Sequence, residues 1–170
     1  MKFLGVRTVE RIPVRDGTRI GITLDWNDQA NGSYLSASVI LTPEPTSGNP
    51  LANRDWLQIE YVGIPPGRNA RLAASESVGG RERTLFDEGW PESNRDGRRI
   101  GVQRLLLSFT GSALEIRENE RVLESGPLAL DFDLAHLHLQ LSSHSNYPPR
   151  EVFFDDVHVN VAGRPCSLLP

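Results

Sequence analysis

Apolar and polar residues alternate one for one through 136–160, HLHLQLSSHSNYPPREVFFDDVHVN, on either side of a polar loop holding Tyr147 and Pro148-Pro149. Leu137, Leu139 and Leu141 face one way, and His136, His138 and Gln140 the other. Beyond the loop the same alternation predicts Phe153, Asp155, Val157 and Val159 on one face, opposite Phe154, Asp156, His158 and Asn160. A side-chain period of two with one apolar face belongs to an antiparallel sheet packed on a core. Comparable runs predict strands near 4–12, 18–26, 34–41, 56–63, 69–76, 83–86, 102–109, 114–118, 121–124, 135–142 and 152–161. Asp16-Gly17 and Asn31-Gly32 read as hairpin-type turns, and Pro65-Pro66-Gly67 and Asp96-Gly97 as tight connections. The stretch 42–54, with Pro43, Pro45 and Pro50, reads as a mobile loop. No window keeps a period of about 3.6 over three turns.

About eleven short strands without a helix predict an all-β sandwich or barrel. Sheet-on-sheet packing puts Leu57, Ile59 and Tyr61 in the core with Leu105, Leu107, Phe109, Leu114 and Ile116. A chain of 170 residues supports one such core, and no internal repeat divides it. One domain over 1–170 is the expectation.

Composition narrows the function classes. A net charge of −4 leaves no basic footprint for nucleic acid. Seventeen arginines stand against the single Lys2, a bias that a GC-rich coding genome or a heat-adapted host explains. With one cysteine, Cys166, an intrachain disulfide and a cysteine-based metal site are excluded. The start, MKFLGVRTVE, lacks the apolar core of a signal peptide, and no long apolar run predicts a membrane span. A domain of a longer, extracellular parent would read the same way, so sister domains are candidate partners. No Gly-x-Ser-x-Gly elbow or phosphate loop occurs. The mixed charges of Arg81-Glu82-Arg83 and Arg95 to Arg99 read as solvated turns.

The ending, with Phe153, Phe154, Asp155, Asp156, Val157, His158 and Val159 in its last strand, resembles the closing strands of bacterial LamG-like domains of the concanavalin A-like lectin/glucanase superfamily. WLQIEYVGIPPGRNARL, LFDEGWP and ALEIRENERVLES carry the resemblance over roughly 55–160, including a Glu118-Asn119-Glu120-Arg121 hairpin. The resemblance implies an antiparallel jelly-roll β-sandwich of two curved sheets whose concave face binds carbohydrate and, in some members, cleaves it. Those glycosidases place Glu, Asp and Glu alternately on one strand, a spacing suited to retaining chemistry. Glu115 fits, but Arg117 stands where the assisting Asp belongs and Asn119 where the acid does. An arginine there holds its neighbour ionised. The expectation is therefore a non-catalytic carbohydrate-binding module. The rivals are a glycoside hydrolase or lyase built on an unrecognised pair such as Glu60 and Glu115, and a structural accessory domain.

Candidate ligand contacts follow. His136, His138 and Gln140 are spaced along a pleated face to meet successive sugar hydroxyls, although a solvated sheet face has the same pattern. Gln58 and Glu60 alternate in the same way. Trp90 in Glu88-Gly89-Trp90-Pro91 and Tyr147 in the 144–150 loop are candidate stacking platforms. Trp26 is a further candidate, while Trp56 opens an apolar strand and reads as core. The resemblance places a structural calcium at Asp155, with Asp16, Asp131 and Asp133 as further oxygen donors.

Overall fold

In a computed structural model, residues 2–15, 17–26, 35–46, 48–63, 71–89, 101–143, 152–162 and 164–167 are described. Their strands are β1 (Lys2–Arg7), β2 (Ile12–Pro13), β3 (Arg19–Trp26), β4 (Leu35–Thr42), β5 (Trp56–Gly63), β6 (Arg71–Val78) and β7 (Arg81–Gly89). The second half supplies β8 (Gly101–Thr110), β9 (Ala113–Glu118), β10 (Arg121–Pro127), β11 (Leu134–Ser143), β12 (Phe153–Val161) and β13 (Arg164–Ser167). One sheet runs β1-β11-β4-β5-β6-β7, with β2 pairing β11; the other runs β10-β9-β8-β3-β12-β13. All pairings are antiparallel. The chain crosses between sheets after β2, β3, β7, β10 and β11.

One core cluster fills the space between the sheets. Leu57, Ile59, Tyr61, Leu72, Val39 and Leu137 meet Ile20, Ile22, Leu105, Leu107, Phe109, Leu114 and Ile116. These are the β-branched, leucine and aromatic residues at alternate positions of their strands, as the period of two requires. Each large side chain withdrawn from water contributes about 1.5–3 kcal/mol. At the β7–β10 edge, buried Glu76 pairs with Arg83 and accepts the Ala129 N–H on both carboxylate oxygens at 3.2 and 3.1 Å. Arg83 also donates to the Pro127 carbonyl at 2.9 Å, closing that edge.

Four expectations change. The run 4–12 is split, because β1 ends at Arg7 and β2 resumes only at Ile12. The segment after Asp16 is no hairpin: β2 pairs with β11 in one sheet and β3 with β8 and β12 in the other. The 42–54 stretch contains an ordered 3-10 turn at Pro50–Ala52, capped by the Asn49 side chain accepting Leu51 N–H at 3.2 Å. Last, β12 carries a bulge between Asp155 and His158, with Asp156 at φ 46°. The extra residue resets the alternation, so Phe154, Val157 and Val159 pack toward the core while His158 joins Asp155 on the outer face. Gly21 opposite makes room: a Cβ there would collide with the His158 ring. The Glu118-Asn119-Glu120-Arg121 turn forms as read, with Asn119 at φ 56° and its Oδ1 accepting Arg104 N–H at 3.0 Å.

Candidate ligand-binding face of the seven-stranded sheet

The register decides which polar residues share a surface. Gln140 lies opposite Gly5 of β1 and Ser38 of β4, and Ser38 opposite Glu60 of β5. In the next row Arg7, His138, Ile40 and Gln58 are successive partners. His136, His138, Gln140, Gln58 and Glu60 therefore occupy one face, turned away from the core.

That face is not the solvated surface its composition suggests. His136, His138 and Gln140 are only 6%, 4% and 7% exposed. Ser36, Ser38, Ile40 and Thr42 beside them are buried as well. Trp56, expected in the core, is buried but alternates with Leu57 and stands apart from the core cluster, on the outer face of the sheet. Buried polar groups need partners, and most find them across strands. Ser36 and Ser142 share a hydrogen bond of 2.7 Å, and Gln58 donates to Ser38 Oγ at 3.1 Å. His136 Nδ1 donates to the Thr8 carbonyl at 3.1 Å, which holds its ring against β1.

His138 is fixed more tightly still. Thr42 spends its hydroxyl proton on the Glu44 carbonyl at 2.7 Å, so at the 2.8 Å contact it accepts from His138 Nε2. The imidazole is then the Nε2–H tautomer, with Nδ1 left as an acceptor. Burial chiefly, then the nearby His136 and Arg7, pushes its pKa down to about 4. The ring is neutral at physiological pH.

Gln140 differs from its neighbours. Among the described residues its amide has no hydrogen-bond partner. It lines a cavity of about 340 Å³ together with His138, Gly5, Arg7 and, from the 3-10 turn region, Thr46 and Pro50. The Thr46 hydroxyl is buried and equally without a partner. Gln140, His138 and Thr46 thus line one concavity with Arg7, a few polar residues in a pocket wall. Alternation marks Gln140 and His138 in the sequence. It could not find Gly5, Arg7 or Thr46, because β1 and the loop reach the site through long-range pairing.

The remaining candidates separate. Trp90 and Tyr147 lie outside the described residues, as do Asp16 and the Trp26 side chain. Asp155 is exposed on the outer face of the six-stranded sheet, its Oδ1 accepting Asp156 N–H at 2.8 Å. Asp131 and Asp133 lie exposed in the run before β11. Among the described residues no three His, Cys, Asp or Glu side chains gather around a possible ion.

Glu60 and Glu115 do not form a pair. Glu60 is on β5, on the outer face of the seven-stranded sheet, whereas Glu115 is on β9, on the outer face of the other. Two stacked sheets, about 10 Å apart, stand between them, so they cannot flank one glycosidic bond. Glu115 instead accepts from Arg117 Nε at 2.6 Å, and this contact lowers its pKa.

Two packed antiparallel sheets with this strand order form a jelly-roll β-sandwich, the fold of the solved structures that superpose on it. The CBM2 module of the evolved Dit of Lactobacillus casei BL23 phage J-1 superposes with a TM-score of 0.66 at 11% identity, over 88% of this chain and 66% of that one. A Bacillus licheniformis beta-glucanase gives 0.57 at 9% identity, over 87% and 65%. A toad ovary galectin in complex with thio-digalactose gives 0.53 at 10%, over 89% and 98%. This chain thus spans slightly under two thirds of the first two. No family model matches the sequence, and no curated protein does.

Proposed function

We propose that the protein is a non-catalytic, lectin-like module that binds a polysaccharide or glycan at the polar face of the seven-stranded sheet. The observation that carries this reading is Gln140: a residue only 7% exposed whose amide, without a protein partner among the described residues, opens to a cavity it shares with His138. Support also comes from the fold, shared with a galectin bound to thio-digalactose. In this reading Gln140 and the His138 Nδ1 acceptor contact sugar hydroxyls, His136 positions the strand edge, and Glu60 contributes from the same row. Trp90 and Tyr147 are proposed as the stacking aromatics. Cleavage is disfavoured by the separation of Glu60 from Glu115. A second reading, a partner-binding accessory domain, is favoured by the exposed apolar side chains of edge strand β1, Leu4 at 74% and Val6 at 70%.

A polysaccharide and glycan array, run with calcium and again with chelator, tests the proposal. Saturable binding to one saccharide class is expected. Loss with chelator would assign Asp155 as a calcium ligand, and unchanged binding would remove calcium from the account. A blank array under both conditions would move the protein to the accessory-domain reading.

A further inference from the structure

The cavity beside Gln140 has a distinct charge character among the described residues. The chain carries a net −4, yet among the described residues the only charged side chain lining this cavity is Arg7. Among the described residues Arg7 has no carboxylate partner, and its guanidinium donates to the Thr8 carbonyl at 3.2 Å. The other polar groups are neutral: the Gln140 amide, the Thr46 hydroxyl and the His138 ring. Glu60 shares the Gln140 row but is separated from it by β4, and Glu44 does not line the cavity. Gly5 leaves the floor between Arg7 and Gln140 without a side chain, and a Cβ there would meet the Leu139 carbonyl at 2.7 Å. At about 340 Å³ the space lies at the small end of ligand pockets, the size for a single sugar residue.

We propose that this pocket takes a sugar residue bearing an anionic group, a carboxylate or a sulfate, with Arg7 as its charge partner. The inference rests on the carbohydrate reading above and specifies its ligand. A guanidinium presents paired N–H donors that match two oxygens of either anion. The His138 Nδ1 lone pair repels an anion and so takes a hydroxyl proton of the same ring, while the Gln140 amide bonds a neighbouring hydroxyl. These three contacts fix both the charge and the orientation of the residue.

The test is calorimetric titration with oligogalacturonate, its methyl ester, dextran sulfate, dextran and a panel of neutral glycans, using the wild type, Arg7→Gln and Arg81→Gln. Arg81 is exposed on β7, at the far edge of the sheet. The expected result is binding of an anionic saccharide, weakened at least tenfold by Arg7→Gln and unaffected by Arg81→Gln. Preference for the uronate, with methyl esterification weakening it equally, identifies a carboxylate; preference for dextran sulfate identifies a sulfate. Binding of neutral glycans alone, with Arg7→Gln silent, overturns this inference and leaves the carbohydrate reading intact. Equal losses in both arginine variants also overturn it, as general charge attraction. No binding of any saccharide overturns both. Esterification reads out the charge without a variant, so the test survives if Arg7→Gln fails to fold.

Discussion

The two outer faces of this sandwich obey the same alternation and end in opposite physical states. On the six-stranded sheet Glu115 and Arg117, two residues apart on β9, point outward and satisfy each other at 2.6 Å in reach of water. On the seven-stranded sheet His136, His138, Gln140, Ser38 and Thr42 also point away from the core but are buried. There a hydrogen bond made or missed carries the cost of desolvation. The contrast teaches that an outward-facing polar strand residue says little about exposure; what covers it decides. On this sheet the cover includes the ordered segment around Thr46 and Pro50, which meets β1 and β11 across the cavity.

Substitutions should break this contrast unequally. The largest effect is expected at His138. His138→Ala removes the donor to Thr42 and opens a void, lowering unfolding free energy by about 2–3 kcal/mol. Chemical denaturation measures it, and a loss below about 0.5 kcal/mol would mean that the face is wetter than its burial indicates.

A pH series sharpens the point. In the folded state His138 titrates near 4, below its ordinary 6.5. The unfolded chain therefore binds the proton first, and stability falls as pH drops from about 6.5 through about 4. Above that window the contribution is fully present. His138→Gln is expected to flatten this part of the profile relative to the wild type; parallel profiles would show that the ring is not held neutral.

The smallest effect is expected on the other face. Arg117→Ala removes an exposed pair and should change stability by no more than about 0.5 kcal/mol. It should leave saccharide binding unaltered. A large loss there would erase the distinction between the faces.

Much of the fold was legible in the sequence because local alternation determines it. The core set Leu57, Ile59, Tyr61, Leu105, Leu107, Phe109, Leu114 and Ile116 packs as the period of two requires. The polar face of β11 was legible for the same reason. The β12 bulge was not, since one left-handed residue, Asp156, reverses the facing of all that follows while leaving composition unchanged. Nor was the meeting of Arg7, Gly5 and Thr46 with Gln140. That depends on β1 pairing with a strand more than a hundred positions away and on how the proline-rich loop folds back. Glu60 and Glu115 likewise looked like a possible pair until strand order put them on opposite faces.

The central claim, that the buried polar face is the ligand face, is most directly tested by titrating the saccharide class found on the array into Gln140→Ala and Glu115→Gln side by side. The account predicts at least a tenfold weakening for Gln140→Ala and wild-type affinity for Glu115→Gln. Unchanged affinity in Gln140→Ala, or a loss confined to Glu115→Gln, would contradict it.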